Sequence, residues 1–221
     1  MSCTLRSAAV TRVLARLREA GRAEDEPGKR RVRAREAKLG RKIYGRERAD
    51  LYGQAPIAVA DEVGELLYLL AFGRRARTIV EFGTSLGVST IYLASAVRDA
   101  GEGVVIATEF QPEKARRAAA NLAEAGVADV VDLRVGDALE TLRDLPGPID
   151  LLFLDGWNDL YLAVLEMLEP RLPRGALVAA DMSGDDPHHA GYRAHMRDPA
   201  HGYFTTELPL DDGVVLSVRL G

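Results

Sequence analysis

The residues best suited to chemistry are carboxylates that fall at the ends of short apolar runs. Glu81 closes Thr78-Ile79-Val80, Glu109 follows Ala107-Thr108, Asp137 follows Gly136, and Asp155 and Asp181 follow Phe153-Leu154 and Ala179-Ala180. Glu81 leads into Phe82-Gly83-Thr84-Ser85-Leu86-Gly87, where two glycines allow a tight turn and close approach of a ligand to the backbone. A helix starting there offers free N–H donors to a carboxylate, while Glu81 can meet a cationic amine. A dinucleotide fingerprint wants a central glycine so that pyrophosphate can touch the backbone. Ser85 stands in that place, which favours a ligand without pyrophosphate. The plainer reading is a glycine turn that merely packs.

The other carboxylates extend this pattern. Glu109 is placed to accept from both hydroxyls of a ribose, a need common to NAD and S-adenosylmethionine, and Phe110 can lie against an adenine face. Asp137 suits the N-cap of the helix that Ala138 begins, and its spare lone pairs can hold an adenine amino group as well. Asp155 and Asp181 arrive from two apolar runs at one sheet edge, where they could share a divalent cation. Trp157, the only tryptophan, reads either as a wall for an aromatic ring or as a core residue at a helix start.

These positions require a particular frame. Aliphatic or β-branched runs at 77–82, 104–109, 130–135, 149–154 and 176–180 alternate with helical stretches at 87–99, 112–125, 137–144 and 158–171. Such alternation means right-handed crossovers and a parallel sheet covered on both faces, with ligands at the carboxyl ends of the strands. A helical patch near 190–197 follows a polar loop. Runs 202–208 and 213–220, separated by Pro209 and Asp211-Asp212-Gly213, read as a closing hairpin. Ahead of the sheet, 61–72 has helical spacing with an acidic start. Residues 5–20 and roughly 29–50 read as two helices with a break from Gly21 to Gly28.

Composition sets outer bounds. The chain has 221 residues, a net charge of −4, 47% hydrophobic and 28% charged residues, which fits one α/β domain with a sizeable core. No apolar stretch is long enough to span a bilayer, and arginines interrupt the N-terminus where a signal peptide needs its apolar core. Cys3 is the single cysteine, so no intrachain disulfide can form, and a cytoplasmic location is expected. From Lys29 to Arg48 ten basic residues stand against Glu36 and Glu47. The stretch lacks interleaved aromatics for base stacking, so a solvated helical face is favoured over a nucleic-acid surface.

The ordered set IVEFGTSLGVSTIYLA, IATEFQPEKARRAAANLAEAG, VGDALETL, IDLLFLDGWNDLYL, PRGALVAADM and LPLDDGVVLSV resembles the catechol and caffeoyl-CoA type of class I O-methyltransferase, especially its small bacterial members. The resemblance runs over roughly three quarters of the chain, from about Ile57 to the C-terminus. It implies a Rossmann-like α/β fold: a seven-stranded, mostly parallel sheet with an antiparallel last strand, spanning 57–221 behind a helical N-terminal extension at 1–56. It also implies S-adenosylmethionine held by Glu81, Gly83, Thr84, Ser85 and Ser89, with Glu109 on the ribose. Phe110, Asp137, Ala138, Asp155 and Trp157 would complete that site. A small-molecule methyl acceptor, no nucleic acid, no membrane and a homodimer are the implied partners.

Two departures bear on the reaction. The family reads Asp-x-x-Lys after the fourth strand, the lysine being the general base; here the position is Asn158. It reads Asp-Asn after the fifth strand, both ligating magnesium; here the pair is Asp181-Met182. An asparagine takes no proton at neutral pH and a thioether is a poor ligand for a hard cation. Asp155 and Asp181 remain as candidate metal ligands. Asn158 and His188 are the candidate catalytic residues, with His189, Asp185 and Asp186 in the same loop; two histidines in a polar loop also read as merely solvated. Two other readings stay open: a homologue that binds S-adenosylmethionine with lost or repurposed acceptor chemistry, and an RNA methyltransferase using the basic stretch.

Overall fold

The computed structural model describes residues 3–52, 58–182 and 186–221. Seven strands form a single sheet: β1 (Thr78–Phe82), β2 (Val104–Glu109), β3 (Val131–Val135), β4 (Leu151–Leu154), β5 (Leu177–Asp181), β6 (Tyr203–Leu208) and β7 (Val214–Arg219). Their order is β3-β2-β1-β4-β5-β7-β6. All pairs from β3 through β5 are parallel, and β7 runs antiparallel to both β5 and β6. The expected sheet and hairpin are therefore present. The switch in strand order lies between β1 and β4, so the carboxyl ends of these two strands flank the crevice where such sheets bind ligands.

Alternation within buried strands assigns the two faces. Ile79, Val105, Leu151 and Phe153 point into one apolar layer with α3 (Asp61–Arg74), α4 (Val88–Ala100) and α5 (Pro112–Ala125). Val80, Ile106, Leu152 and Leu154 point into the other, with α6 (Ala138–Thr141), α7 (Tyr161–Leu168) and α8 (His189–Arg197).

The N-terminal segment differs from the sequence reading. Instead of two helices broken between Gly21 and Gly28, one helix, α1 (Ala8–Leu39), runs through both glycines and Pro27. The break falls at Gly40, and α2 (Gly45–Tyr52) follows. Gly40 ends the helix because it takes the left-handed conformation, φ +66°, that caps a C-terminus without steric cost. Across the expected break, Glu24 pairs with Arg31 and Glu26 with Arg33.

The first half of α1 also belongs to the core. Ser7 caps it through Val10 N–H, and Val10, Val13, Leu14 and Leu17 make an i, i+3, i+4, i+7 stripe buried in the layer with α3 and α4. Leu14→Ala is expected to lower the denaturant midpoint at unchanged m, by about 2–4 kcal/mol of stability. Arg12→Ala, on the exposed face, should stay within roughly 0.5 kcal/mol in the same titration. Equal effects would mean that α1 does not pack as described.

Candidate active site

The turn after β1 is built by backbone constraints on both sides. Gly83 has φ +100°, and a Cβ there would run into the Asp155 carbonyl, so only glycine allows β1 and β4 to end side by side. Gly83 and Thr84 N–H both donate to the Thr108 carbonyl at 3.2 and 3.1 Å. Ser85 is forced to φ +50°, and its N–H donates to Glu109 Oε2 at 2.8 Å. Gln111 N–H donates to the other oxygen of Glu109, also at 2.8 Å. Glu109 thus fastens the turn to the tip of β2.

Above this edge lies a cavity of about 780 Å³. Ser85, Glu109, Phe110, Asp137, Ala138 and Trp157 line one end, with the Phe110 and Trp157 rings 4.8 Å apart. Asp137 caps α6 through Leu139 N–H at 2.9 Å while facing the cavity, so both roles read from the sequence are compatible. Asp155, Asn158, Tyr161 and Asp181 line the other end, joined by Asp211 and Asp212 from the β6–β7 turn. Arg22 and Lys29 of α1 and Arg48 of α2 also line the cavity.

Three expected residues sit elsewhere. Glu81 is fully buried behind the turn, and its Oε2 accepts from Thr84 Oγ1 at 3.2 Å and Thr90 Oγ1 at 2.5 Å, with Ser89 beside it. Glu81, Thr84 and Ser89 form a polar knot that supports the cavity floor, while Gly83 and Ser85 reach its wall. Burial pushes the Glu81 carboxyl up to about 7 against the lowering effect of these hydroxyls. A raised acid stabilises the fold below its unfolded value and loses that contribution as pH rises through the folded one. Glu81→Gln is therefore expected to flatten the dependence of apo-protein stability between pH 5 and 8. The variant should gain on the order of 3 kcal/mol over wild type across that range, read from melts at each pH. Parallel melting curves for the two proteins would overturn this.

The part of the cavity around Asp155 and Asp181 is strongly acidic. Burial raises Asp155 well above the ordinary carboxylate range, and the nearby charges of Asp181, Glu81 and Asp211 add to it. Burial, then Asp211 and Asp212, raise Asp181 to about 7, and one Asp181 oxygen has no hydrogen-bond partner. The structure thus brings Asp155 and Asp181 together as the sequence implied. Among the described residues no group of three or more His, Cys, Asp or Glu is placed to share a cation, so a hard divalent ion here would complete its coordination with water or substrate oxygens. Met182 is fully buried in the apolar layer with Ala180 and Val215.

The histidines correct one reading. His188 is half-exposed, but His189 is fully buried against Tyr161, ring centroids 5.3 Å apart, so the pair is not simply solvated. Asp185 lies outside the described residues. Sequence reasoning missed Lys114, Asp211 and Asp212. Lys114 is nearly buried on the cavity wall; burial lowers its ammonium, opposed by Glu109. Its signal was its position one turn into the helix after Glu109. Asp211 and Asp212 carried only a turn signal.

A methyltransferase domain family matches residues 80–181. A catechol O-methyltransferase of Mycobacterium tuberculosis is 43% identical over 127 residues, 57% of this chain and 56% of that protein. The chain thus spans little more than half of that relative. The match to a putative O-methyltransferase of Mycobacteroides abscessus is longer, 33% identity over 79% of this chain and 86% of the relative. The chain belongs to the class I O-methyltransferase family. Among solved structures of this family, the O-methyltransferase TomG of Streptomyces achromogenes, crystallised with S-adenosylmethionine, superposes with a TM-score of 0.66. Identity is 30%, over 76% of this chain and 84% of that one. Within the chain, the family match begins in β1 and ends at Asp181, which encloses most of the cavity wall.

Proposed function

We propose that this protein transfers the methyl group of S-adenosylmethionine to a hydroxyl oxygen of a small molecule, with residues 57–221 as the catalytic domain and 1–56 as its helical extension. The observation that carries the reading is the charge of the cavity: Glu109, Asp137, Asp155, Asp181, Asp211 and Asp212 all line it. Carboxylates outnumber the basic residues Arg18, Arg22, Lys29, Arg48 and Lys114 on the same wall, which favours a ligand with a cationic centre over a pyrophosphate. Bound S-adenosylmethionine supplies an electrophilic methyl carbon on a positively charged sulfur. Glu109 is placed for the ribose, Phe110 and Trp157 for the adenine face, and Asp137 for the adenine amino group. Gly83 and Ser85 shape the wall between them. With the cofactor so held, the chain works mainly by positioning the acceptor oxygen in line with the methyl carbon. The names of the relatives support hydroxyl oxygen as the acceptor atom.

The arginines of 29–48 support a structural role for the extension. Arg31, Arg33, Arg35 and Arg41 pair with Glu24, Glu26 and Glu47, which leaves less cationic surface for nucleic acid than the sequence count implies. No helix among the described residues is long and apolar enough to cross a membrane, which fits a cytoplasmic enzyme. Leu69 and Phe72 of α3, 65% and 43% exposed, offer an apolar surface for a homodimer. Titration calorimetry is expected to show S-adenosylhomocysteine binding and no binding of NAD. Tight NAD binding in that experiment would overturn the methyltransferase reading.

A further inference from the structure

Transfer of a methyl group to a hydroxyl releases a proton, and an ordinary hydroxyl attacks poorly unless a base takes it. Asn158, on the cavity wall between Asp155 and Tyr161, cannot be that base. Its amide instead donates to Asp186 Oδ2 at 2.6 Å. The other oxygen of Asp186 accepts from His188 N–H at 2.9 Å and lies 2.7 Å from His188 Nδ1. Asp186 itself is only 4% exposed. A capping turn at the start of α8 explains the backbone bond alone. It does not explain why a ring nitrogen and a cavity-wall amide converge on the same buried carboxylate. Burial raises this carboxyl, but the bonds from His188 and Asn158 outweigh it and keep Asp186 ionised.

We propose that His188 is the general base of the acceptor reaction, that Asp186 is its positioning residue, and that Asn158 ties the pair to the cavity wall. This rests on the methyltransferase reading above. An ionised carboxylate on Nδ1 fixes the proton there and leaves the Nε2 lone pair free to accept, the arrangement that orients catalytic imidazoles. His188 is 46% exposed and lies edge-on to Tyr44, ring centroids 6.1 Å apart, where the α1–α2 junction meets the core. In the step, the acceptor hydroxyl gives its proton to Nε2 as its oxygen bonds to the methyl carbon. The carbon–sulfur bond breaks and its electron pair stays on sulfur, leaving a neutral thioether and a methyl ether. The half-exposed imidazolium then releases its proton to water. A hydroxylated acceptor is thereby served without a lysine at position 158.

Two measurements test this, one independent of turnover. Nitrogen-15 NMR of the ring should show His188 protonated on Nδ1 and bare on Nε2 in wild type, and mixed tautomers in Asp186→Asn. In single-turnover assays with catechol as probe, His188→Ala and His188→Gln should transfer methyl about 10²–10⁴-fold more slowly than wild type. Both should bind S-adenosylhomocysteine within two-fold of wild type, and added imidazole should restore part of the His188→Ala rate. A wild-type ring protonated on Nε2, a His188→Ala rate within three-fold of wild type, or a wild type that binds S-adenosylhomocysteine yet transfers nothing to catechol overturns the base assignment. A wild type that binds no S-adenosylhomocysteine overturns the methyltransferase reading instead.

Discussion

Glu109→Ala is expected to weaken S-adenosylhomocysteine binding by on the order of 1.5–3 kcal/mol, roughly ten- to a hundred-fold in Kd. Two effects act together. The carboxylate is the proposed partner of the ribose hydroxyls, and bonds to a charged acceptor are worth more than neutral ones. It is also the group that holds Ser85 N–H and Gln111 N–H at 2.8 Å, so its removal frees a turn residue kept at φ +50°. Glu109→Gln separates the two contributions, since an amide oxygen can hold one of the N–H groups but not both hydroxyls. The expected order of affinity by calorimetry is wild type, then Gln, then Ala. Unchanged affinity in Glu109→Ala would remove Glu109 from the binding site and leave it as a turn clamp alone.

The second large effect concerns magnesium. Wild type is expected to turn over catechol slowly, with a rate that magnesium or its removal by EDTA changes by less than about three-fold. The cause is the donor set: among the described residues no third His, Cys, Asp or Glu is placed to share a cation with Asp155 and Asp181, and Met182 is packed into the apolar layer with no oxygen to give. Asn158→Lys combined with Met182→Asn restores both missing groups and should make the rate magnesium-dependent by ten-fold or more. The fold predicts an accompanying cost. An amide at position 182 enters a fully buried apolar site, and without a partner it destabilises by roughly 1–3 kcal/mol. Magnesium should recover part of that loss, so the Tm of the double variant should rise with the cation while that of wild type stays put. Brisk wild-type turnover with strict magnesium dependence would show that this account of the two substitutions is wrong.

The sequence by itself determined the sheet, the hairpin and most of the carboxylates at the cavity wall. Those features rest on local signals: strands buried on both faces read as continuous apolar runs, and a glycine turn after a strand has few conformations available. Strand ends also carry their side chains to one edge of the sheet whatever packs above it, and Glu109, Asp137, Asp155 and Asp181, at or just beyond strand ends, all line the cavity. Tertiary structure decided the rest. It carried α1 unbroken through Gly21, Pro27 and Gly28, because packing and ion pairs along a helix outweigh intrinsic propensity. It set Glu81 behind the wall with Thr84, Ser89 and Thr90, a grouping made by a strand, a turn and a helix that no spacing rule joins. Asp211 and Asp212, some thirty residues beyond Asp181, reached the cavity only through the antiparallel pairing of β7 on β5. Likewise Asn158 and Asp186 met across 28 positions, and His188 and Tyr44 across a far longer stretch of chain, because side-chain contacts of that range depend on how finished elements dock.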